Sequence, residues 1–134
     1  MIKHFCRKID LRSEQGQSLT EFALALPLLA LLLFAVIQFG IAFNNYVTLT
    51  DATRAGARKA AVSGKASNPS STCTTAIRSS AKDLIQSSLN TTCSSTWQPG
   101  ADVTVTATYP YKISLLGMVV KSGRLSSTTL ERVE

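Results

Sequence analysis

The residues best placed to do chemistry lie at the start of a long apolar stretch, in the segment "GQSLTEFALALPLL". Glu21 puts a carboxylate at the mouth of this stretch. An ionised Asp at the centre of a membrane span costs about 2.5–3.5 kcal/mol on insertion scales, so an acid in such a place usually has a partner. Ser18 and Glu21 also have the spacing of a capping box, which would make Glu21 a helix-start carboxylate favoured by the helix dipole. Both roles are compatible with these residues.

The apolar stretch, residues 22–43, is the element that would hold Glu21 in a membrane. It carries no charge over about 22 residues, which as a helix reach roughly 33 Å, slightly more than the hydrocarbon core of a bilayer. Four basic residues precede it: Lys3, Arg7, Lys8 and Arg12. No comparable basic cluster follows it directly. The positive-inside rule therefore predicts a single-pass protein with a cytoplasmic N-terminus and an extracytoplasmic C-terminal region.

The helix is expected to continue as an amphipathic extension over residues 44–64, because "NNYVTLTDATRAGARKAAVSG" keeps helical spacing and has no proline. One face would carry Leu49, Ala52, Gly56, Ala60 and Ser63, and another Asp51, Arg54 and Arg58. The small residues of the first face would let another element approach the helix backbone closely. That element is either the chain's own domain or a neighbouring helix.

Residues 65–134 are predicted to form a small exported domain. Its first part, "GKASNPSST", has the Gly, Asn-Pro and Ser content of a loop. The following segment, "CTTAIRSSAKDLIQSSLN", predicts a second amphipathic helix bounded by the two cysteines. The apolar residues of that helix would be Ile77, Ala81, Leu84, Ile85 and Leu89.

The remainder of the domain has the pattern of strands. Valine and alanine alternate with threonine in "DVTVTATYPYKI", which predicts a strand that ends at Pro110. Leu125–Val133 is compatible with a returning strand, the intervening "SLLGMVVKSG" with a loop or short helix, and Trp97 with a core anchor. The fold class is therefore α+β: a long N-terminal helix, then a small domain with a second helix and a two-stranded or larger antiparallel sheet.

Three cysteines are divided by the apolar stretch. Cys6 lies on the predicted cytoplasmic side, whereas Cys73 and Cys93 lie in the exported part, where thiols are oxidised. We predict a Cys73–Cys93 disulfide, which would stabilise the domain by roughly 3 kcal/mol on the chain-entropy model. The alternatives are two free thiols or a metal site, but His4, the single histidine, is on the wrong side to be a ligand.

Composition argues against several classes of function. The net charge is +6, but the basic residues are scattered and form no groove-reading motif, so nucleic acid is not an expected partner. The exported part has no histidine, few acids, no nucleophile beside a base and no phosphate-binding glycine loop. Asp51 and Asp83 stand beside Arg54 and Lys82 and are explained by solvated ion pairs. We expect no enzymatic activity, cofactor or small-molecule substrate.

The segment from Gly16 to Gly64 resembles the TadE/TadF-like minor pilins, or pseudopilins, of tight-adherence (Flp-type) pilus systems. The matching motifs are a Gly-Gln-x-x-x-Glu-Phe junction, a Leu-Pro-Leu-Leu start to the span, a Phe-Gly near its end and an Ala-x-Arg-x-Gly-Ala-Arg-like stretch. In this chain they are Gly16, Gln17, Glu21 and Phe22, then Leu26 to Leu29, then Phe39 and Gly40, then Ala55 to Ala60 with Arg54 and Arg58. Gln17 and the arginine stretch favour the TadE-like branch.

This resemblance implies that residues 1–16 are a cytoplasmic leader, which an aspartyl-type prepilin peptidase of the bacterial inner membrane removes after Gly16. Glu21 would then face the new amino group of Gln17 on an adjacent subunit, with both charges compensated among apolar helices. Other pilin-like subunits and the pilus assembly platform are the implied partners. The region after Gly64 is too long for a major pilin of these systems, so a minor or accessory subunit is expected.

Two other interpretations remain open at this point. A signal peptide cut near Ala42 would leave a soluble domain, but the apolar stretch exceeds a typical h-region of about 7–15 residues. An uncleaved single-span protein with an external binding or adhesive domain would keep Met1 as its N-terminus. The state of the N-terminus separates this second alternative from a processed pilin.

Overall fold

A computed structural model describes residues 14–115 and 117–134 of the chain. Its elements in chain order are α1 (Glu14–Ala61), α2 (Pro69–Ser80), β1 (Asn90–Ser94), β2 (Asp102–Leu115) and β3 (Met118–Arg132). The α+β class is therefore confirmed, with three strands in the antiparallel sheet. The chain divides into two compact units between Val36 and Ile37, and these are described separately.

The first unit contains the apolar half of α1. Its side chains from residue 16 onwards are almost all exposed, and α1 is long and apolar enough to cross a membrane. The helix begins at Glu14, so the prediction of Ser18 as a capping residue is wrong, because Ser18 lies inside the helix. Residues 1–13 of the predicted leader, which include Cys6 and His4, lie outside the described residues.

In the second unit, the small-residue face of α1 packs against the chain's own domain. Leu49, Ala52, Gly56, Ala60 and Ser63 are all buried, whereas Asp51, Arg54 and Arg58 are exposed, as the pattern predicts. A Cβ on Gly56 would collide with Cγ1 of Ile77 in α2, so the glycine allows the two helices to touch. The predicted extension to Gly64 is slightly too long, because α1 ends at Ala61 and the chain turns with a 3.0 Å bond from Ser63 N–H to the Ala60 carbonyl.

The second helix is displaced from its predicted position. It begins at Pro69, where the Asn68 side chain accepts a 3.1 Å hydrogen bond from the Ser71 N–H, so "GKASNPSST" is only partly a loop. It ends at Ser80, and Cys93 lies on β1 rather than at the end of the helix. The apolar residues beyond Ser80 are in turns, yet most remain in the core: Ala81, Leu84 and Leu89 are buried, and Ile85 is exposed.

The sheet has the order β1-β2-β3, with β2 in the centre. Strand β1 pairs with the first half of β2, from Ser94 opposite Thr104 to Asn90 opposite Thr108. The predicted alternation holds, since Val103, Val105 and Ala107 are fully buried. These residues face a core that also contains Leu49, Ile77, Leu89 and Val133, with Trp97 partly buried against it.

Strand β2 does not end at Pro110, as the sequence predicted, but continues to Leu115. Beyond Thr108 it has lost β1 as a neighbour, so a proline without an N–H can be accommodated on that open edge while β3 pairs on the other. The apolar segment 114–123 is likewise neither loop nor helix. It forms the two strand ends of a hairpin that turns at Gly117, whose φ of +83° favours glycine.

Candidate processing and assembly site

The predicted junction lies in the first turns of α1, and helix geometry fixes its hydrogen bonds. Gly16 and Thr20 are four residues apart, and the Thr20 hydroxyl donates to the Gly16 carbonyl at 2.9 Å. Gln17 and Glu21 have the same spacing, and Gln17 Nε2 donates to Glu21 Oε1 at 3.4 Å. Both pairs are exposed. The helix therefore places the residue after the predicted cut and the predicted assembly acid on one face.

The carboxylate of Glu21 retains much of its capacity to accept hydrogen bonds. A carboxylate has about four lone-pair positions, and the 3.4 Å distance to Gln17 Nε2 is at the long end for a hydrogen bond. Within residues 14–115 and 117–134, Glu21 forms no ion pair. The arrangement can therefore accept a cationic donor brought by another molecule or made by processing.

Phe22 follows Glu21 and begins the apolar surface. It is 61% exposed and shares a shallow groove on α1 with Ala25, Leu26, Leu28, Leu29 and Leu32. None of residues 16–36 covers this groove, so its natural surroundings are lipid chains or other apolar helices. An acid thus stands at the edge of a surface that must be kept from water.

The peptide bond between Gly16 and Gln17 is in helical conformation, because α1 begins two residues earlier at Glu14. A protease requires an extended segment, so cutting here requires the first turn to open. Opening is least costly at a helix end, where several N–H groups have no intrahelical partner. Glycine lowers the cost further, since it is about 1 kcal/mol less favourable than alanine inside a helix.

The predicted Cys73–Cys93 disulfide is present, with Cα atoms 6.5 Å apart and a sequence separation of 20. It joins α2 to the edge strand β1. Cys73 is fully buried, so the bond is part of the core and has a structural role. Among the described residues, no group of three or more His, Cys, Asp or Glu side chains is arranged to hold a metal ion.

A cluster of hydroxyl groups joins α1 to β3, and sequence reasoning missed it. The Thr53 hydroxyl donates to the Thr50 carbonyl at 2.8 Å and lies 3.0 Å from Ser127 Oγ and 3.2 Å from Thr129 Oγ1. Thr53 and Ser127 are buried. Since Thr53 uses its hydrogen on Thr50, the other two hydroxyls donate to it. The only signal in the sequence is a threonine next to the small-residue face, which is too common to identify such a cluster.

Comparison with known proteins concerns the same helix. Residues 16–58 match the family model described as TadE-like protein. No curated protein and no solved structure matches the chain. The match begins at Gly16, contains Glu21 and ends at Arg58, so it lies within α1 and includes the junction and the arginine stretch. Over this helix, about a third of its length, the chain is similar to TadE-like proteins.

Proposed function

We propose that the chain is a minor pilin, a structural and non-catalytic subunit used to assemble a tight-adherence pilus. The observation that carries this proposal is the family-matched helix, in which an exposed acid stands at the mouth of an uncovered apolar surface. A soluble protein would bury such a surface in its own core. A subunit that packs by its helix leaves it for lipid before assembly and for neighbouring helices afterwards.

Processing would create a positively charged partner for the Glu21 carboxylate. A cut after Gly16 makes the backbone nitrogen of Gln17 a free amine, which is mostly protonated at neutral pH because its ordinary pKa is about 8. The family match begins at Gly16, the residue just before this cut. The prepilin peptidase is therefore the proposed first partner, and the leader 1–16 is its released product.

Assembly would then pair Glu21 with the amine of Gln17 on an adjacent subunit. Within a bundle of apolar helices, leaving one buried charge without its partner costs about 3–5 kcal/mol. The pairing therefore selects the axial register in which each acid meets a neighbouring terminus. A correct register is favoured without any contribution from the folded C-terminal unit.

The same proposal places the folded unit outside the cytoplasm. The Cys73–Cys93 disulfide supports this orientation, because disulfides persist in oxidising compartments. The basic residues before the span support it independently. The chain would be anchored in the inner membrane by one span until it is assembled.

The proposal is tested in a bacterium from which this chain has been deleted. We expect the chain supplied in trans to restore surface filaments and attachment, and to be recovered with the sheared filaments or the assembly platform. The leaderless chain supplied without the other pilus components should stay in the membrane. Filaments in normal number and length without the chain would contradict a role in assembly.

A further inference from the structure

The end of the β2–β3 hairpin exposes a group of apolar side chains that the domain does not cover. Met118, Val119 and Val120 are 70%, 60% and 66% exposed, and they follow directly after the turn at Gly117. Ile113 and Leu115 on the opposite strand are half-buried. We call residues 113–115 and 117–121 the hairpin tip. Exposed apolar side chains grouped at one end of a domain indicate an interaction site.

Contacts within the second unit fix the direction in which the tip extends. Ser127 of β3 lies 3.0 Å from Thr53 of α1. Closer to the turn on β3, Lys121 lines a cavity together with Phe39 of α1. As β3 is followed back toward the turn, its neighbours on α1 thus move back toward Ile37. The three residues beyond Lys121, from Val120 to Met118, extend the hairpin roughly another 10 Å in that direction.

Basic residues surround the base of the tip on both faces of the hairpin. Lys112 pairs with Ser122 and Ile113 pairs with Lys121, so the two lysines occupy adjacent rows and project to opposite faces. Arg124 follows a few residues behind, and the sequence has no acidic residue between Val103 and Leu130. Such cations are attracted to an anionic lipid surface.

Aromatic residues next to these lysines have the character of a membrane interface. Tyr46 and Tyr111 line the same cavity as Phe39, Phe43 and Lys121. Tyrosine is enriched where a membrane meets water, because its ring is apolar and its hydroxyl is polar. Phe39 and Phe43 belong to the charge-free stretch and are 69% and 58% exposed. If this part of α1 lies in lipid, the hairpin tip next to it therefore meets lipid as well.

We propose that the hairpin tip enters the lipid leaflet nearest the folded unit, with Lys121 at its base beside Phe39 and Phe43 of its own helix. Met118, Val119 and Val120 would lie among the upper acyl chains, while Lys112 and Lys121 extend to the phosphates. The chain would then have two membrane contacts, a span and a hairpin. This proposal requires α1 to be in a bilayer but does not require pilus assembly, so it fails or stands separately from the proposed function.

A lipid leaflet fits this surface better than a protein partner does. The tip combines a small apolar end with cations on both faces, which suits a planar anionic surface approached end-on. A protein groove for a strand would instead use the open edge of β2 beyond Thr108, where Pro110 removes a hydrogen-bond donor. Burial of the tip by another subunit is the competing outcome of the test.

The experiment uses the full-length chain with Cys6→Ser, reconstituted without other pilus proteins in vesicles of phosphatidylglycerol and phosphatidylethanolamine. Val120→Cys and the matched control Leu130→Cys each receive an environment-sensitive fluorophore, with single labelling and the intact disulfide checked by mass. Leu130 is on the same strand, far from the tip, and is 60% exposed. We expect quenching by spin-labelled lipid to be at least about twofold stronger at position 120, with a blue-shifted emission.

A charge variant tests the second half of the proposal. Lys112→Glu with Lys121→Glu should reduce the quenching at position 120 in anionic vesicles to less than about half of its original value. The reduction should be much smaller in zwitterionic vesicles, which lack the anionic charge. Equal, water-like signals at positions 120 and 130 would overturn the proposal. Shielding of position 120 that arises only when other pilus proteins are added would also overturn it, in favour of a protein contact.

Discussion

The exposed carboxylate of Glu21 accepts one long hydrogen bond from the Gln17 amide and lies next to the exposed apolar side chain of Phe22. We expect Glu21→Ala and Glu21→Gln to insert and to be cut normally but to enter filaments at least about tenfold less than the wild type, because the amine of Gln17 would be left unpaired. Immunoblots of membrane and sheared-filament fractions measure both steps. Glu131→Ala, which removes an exposed acid from β3, is the control for charge loss. Wild-type incorporation of Glu21→Ala would exclude the pairing.

Gly56 shows how one missing side chain sets the distance between two helices. Alanine at an exposed helical glycine stabilises by about 0.5–1 kcal/mol, but at Gly56 the new Cβ would collide with the fully buried Ile77. We expect Gly56→Ala to lower the free energy of unfolding by about 1–3 kcal/mol. Gly40→Ala is the matched control, since nothing lies within 4 Å of its Cβ position. Thermal unfolding in detergent compares the two, and equal midpoints would contradict the packing.

Thr53 illustrates a buried polar link that has to be complete. Thr53→Val keeps the shape of the side chain but leaves the buried Ser127 hydroxyl without its partner, so we expect a loss of about 1–3 kcal/mol in the free energy of unfolding. The exposed hydroxyl pair of Thr106 and Thr128, 3.1 Å apart, supplies the control Thr106→Val. The free energy of unfolding lost in Thr106→Val should be well below half of the loss in Thr53→Val. The same denaturant titration measures both, and a control that costs as much would contradict the assignment.

The disulfide acts at the scale of elements, because it fastens α2 to an edge strand with only five residues. We expect Cys73→Ser with Cys93→Ser to lower the free energy of unfolding by roughly 3 kcal/mol on the chain-entropy model. Limited proteolysis should then cut first within residues 81–95, the turns and strand that the bond restrains. Both thiols of the wild-type protein being alkylatable after export, or an unchanged proteolytic pattern in the variant, would contradict this role.

Hydrophobic spacing was sufficient for the long elements and insufficient for the short ones. The apolar stretch and the small-residue face predicted α1 well, because a buried helix face repeats over several turns. The pattern failed for α2, since Ala81, Leu84 and Leu89 are buried from turns and so imitate a longer helix. Asn68 and Pro69 marked the true start, a capping signal that the apolar count outweighed.

Strand β1 and the hairpin tip were missed for different reasons. The segment "NTTCS" is a half-exposed edge strand with almost no apolar residues, and its pairing depends on β2, so local sequence holds little information about it. Pro110 ordinarily ends a strand, but the rule depends on which edge is open. Just behind the tip, Tyr111 lies over Gly123 of the opposite strand, where a Cβ would come within 2.8 Å of its ring. That cross-strand pair was not visible without the register.

At the scale of the whole molecule, the two units meet the environment in different ways. The first has an apolar exterior, whereas the second has a core of its own and exposes charge. The junction stays a prediction from the sequence, in which Gly16, Glu21 and the apolar stretch follow one another. What could not be read from the sequence is how weakly Glu21 is satisfied within its own helix. That observation is the structural basis for expecting a partner made by processing.

The central claim is that a cut after Gly16 turns this chain into an assembly subunit. The most direct measurement is the intact mass and N-terminal sequence of the protein recovered from membranes, with and without the host's prepilin peptidase. Our account predicts a chain that begins at Gln17 only when the peptidase is present. A chain that begins at Met1 in both cases would contradict it and would leave Glu21 as an ordinary carboxylate near a helix start on a membrane-anchored domain.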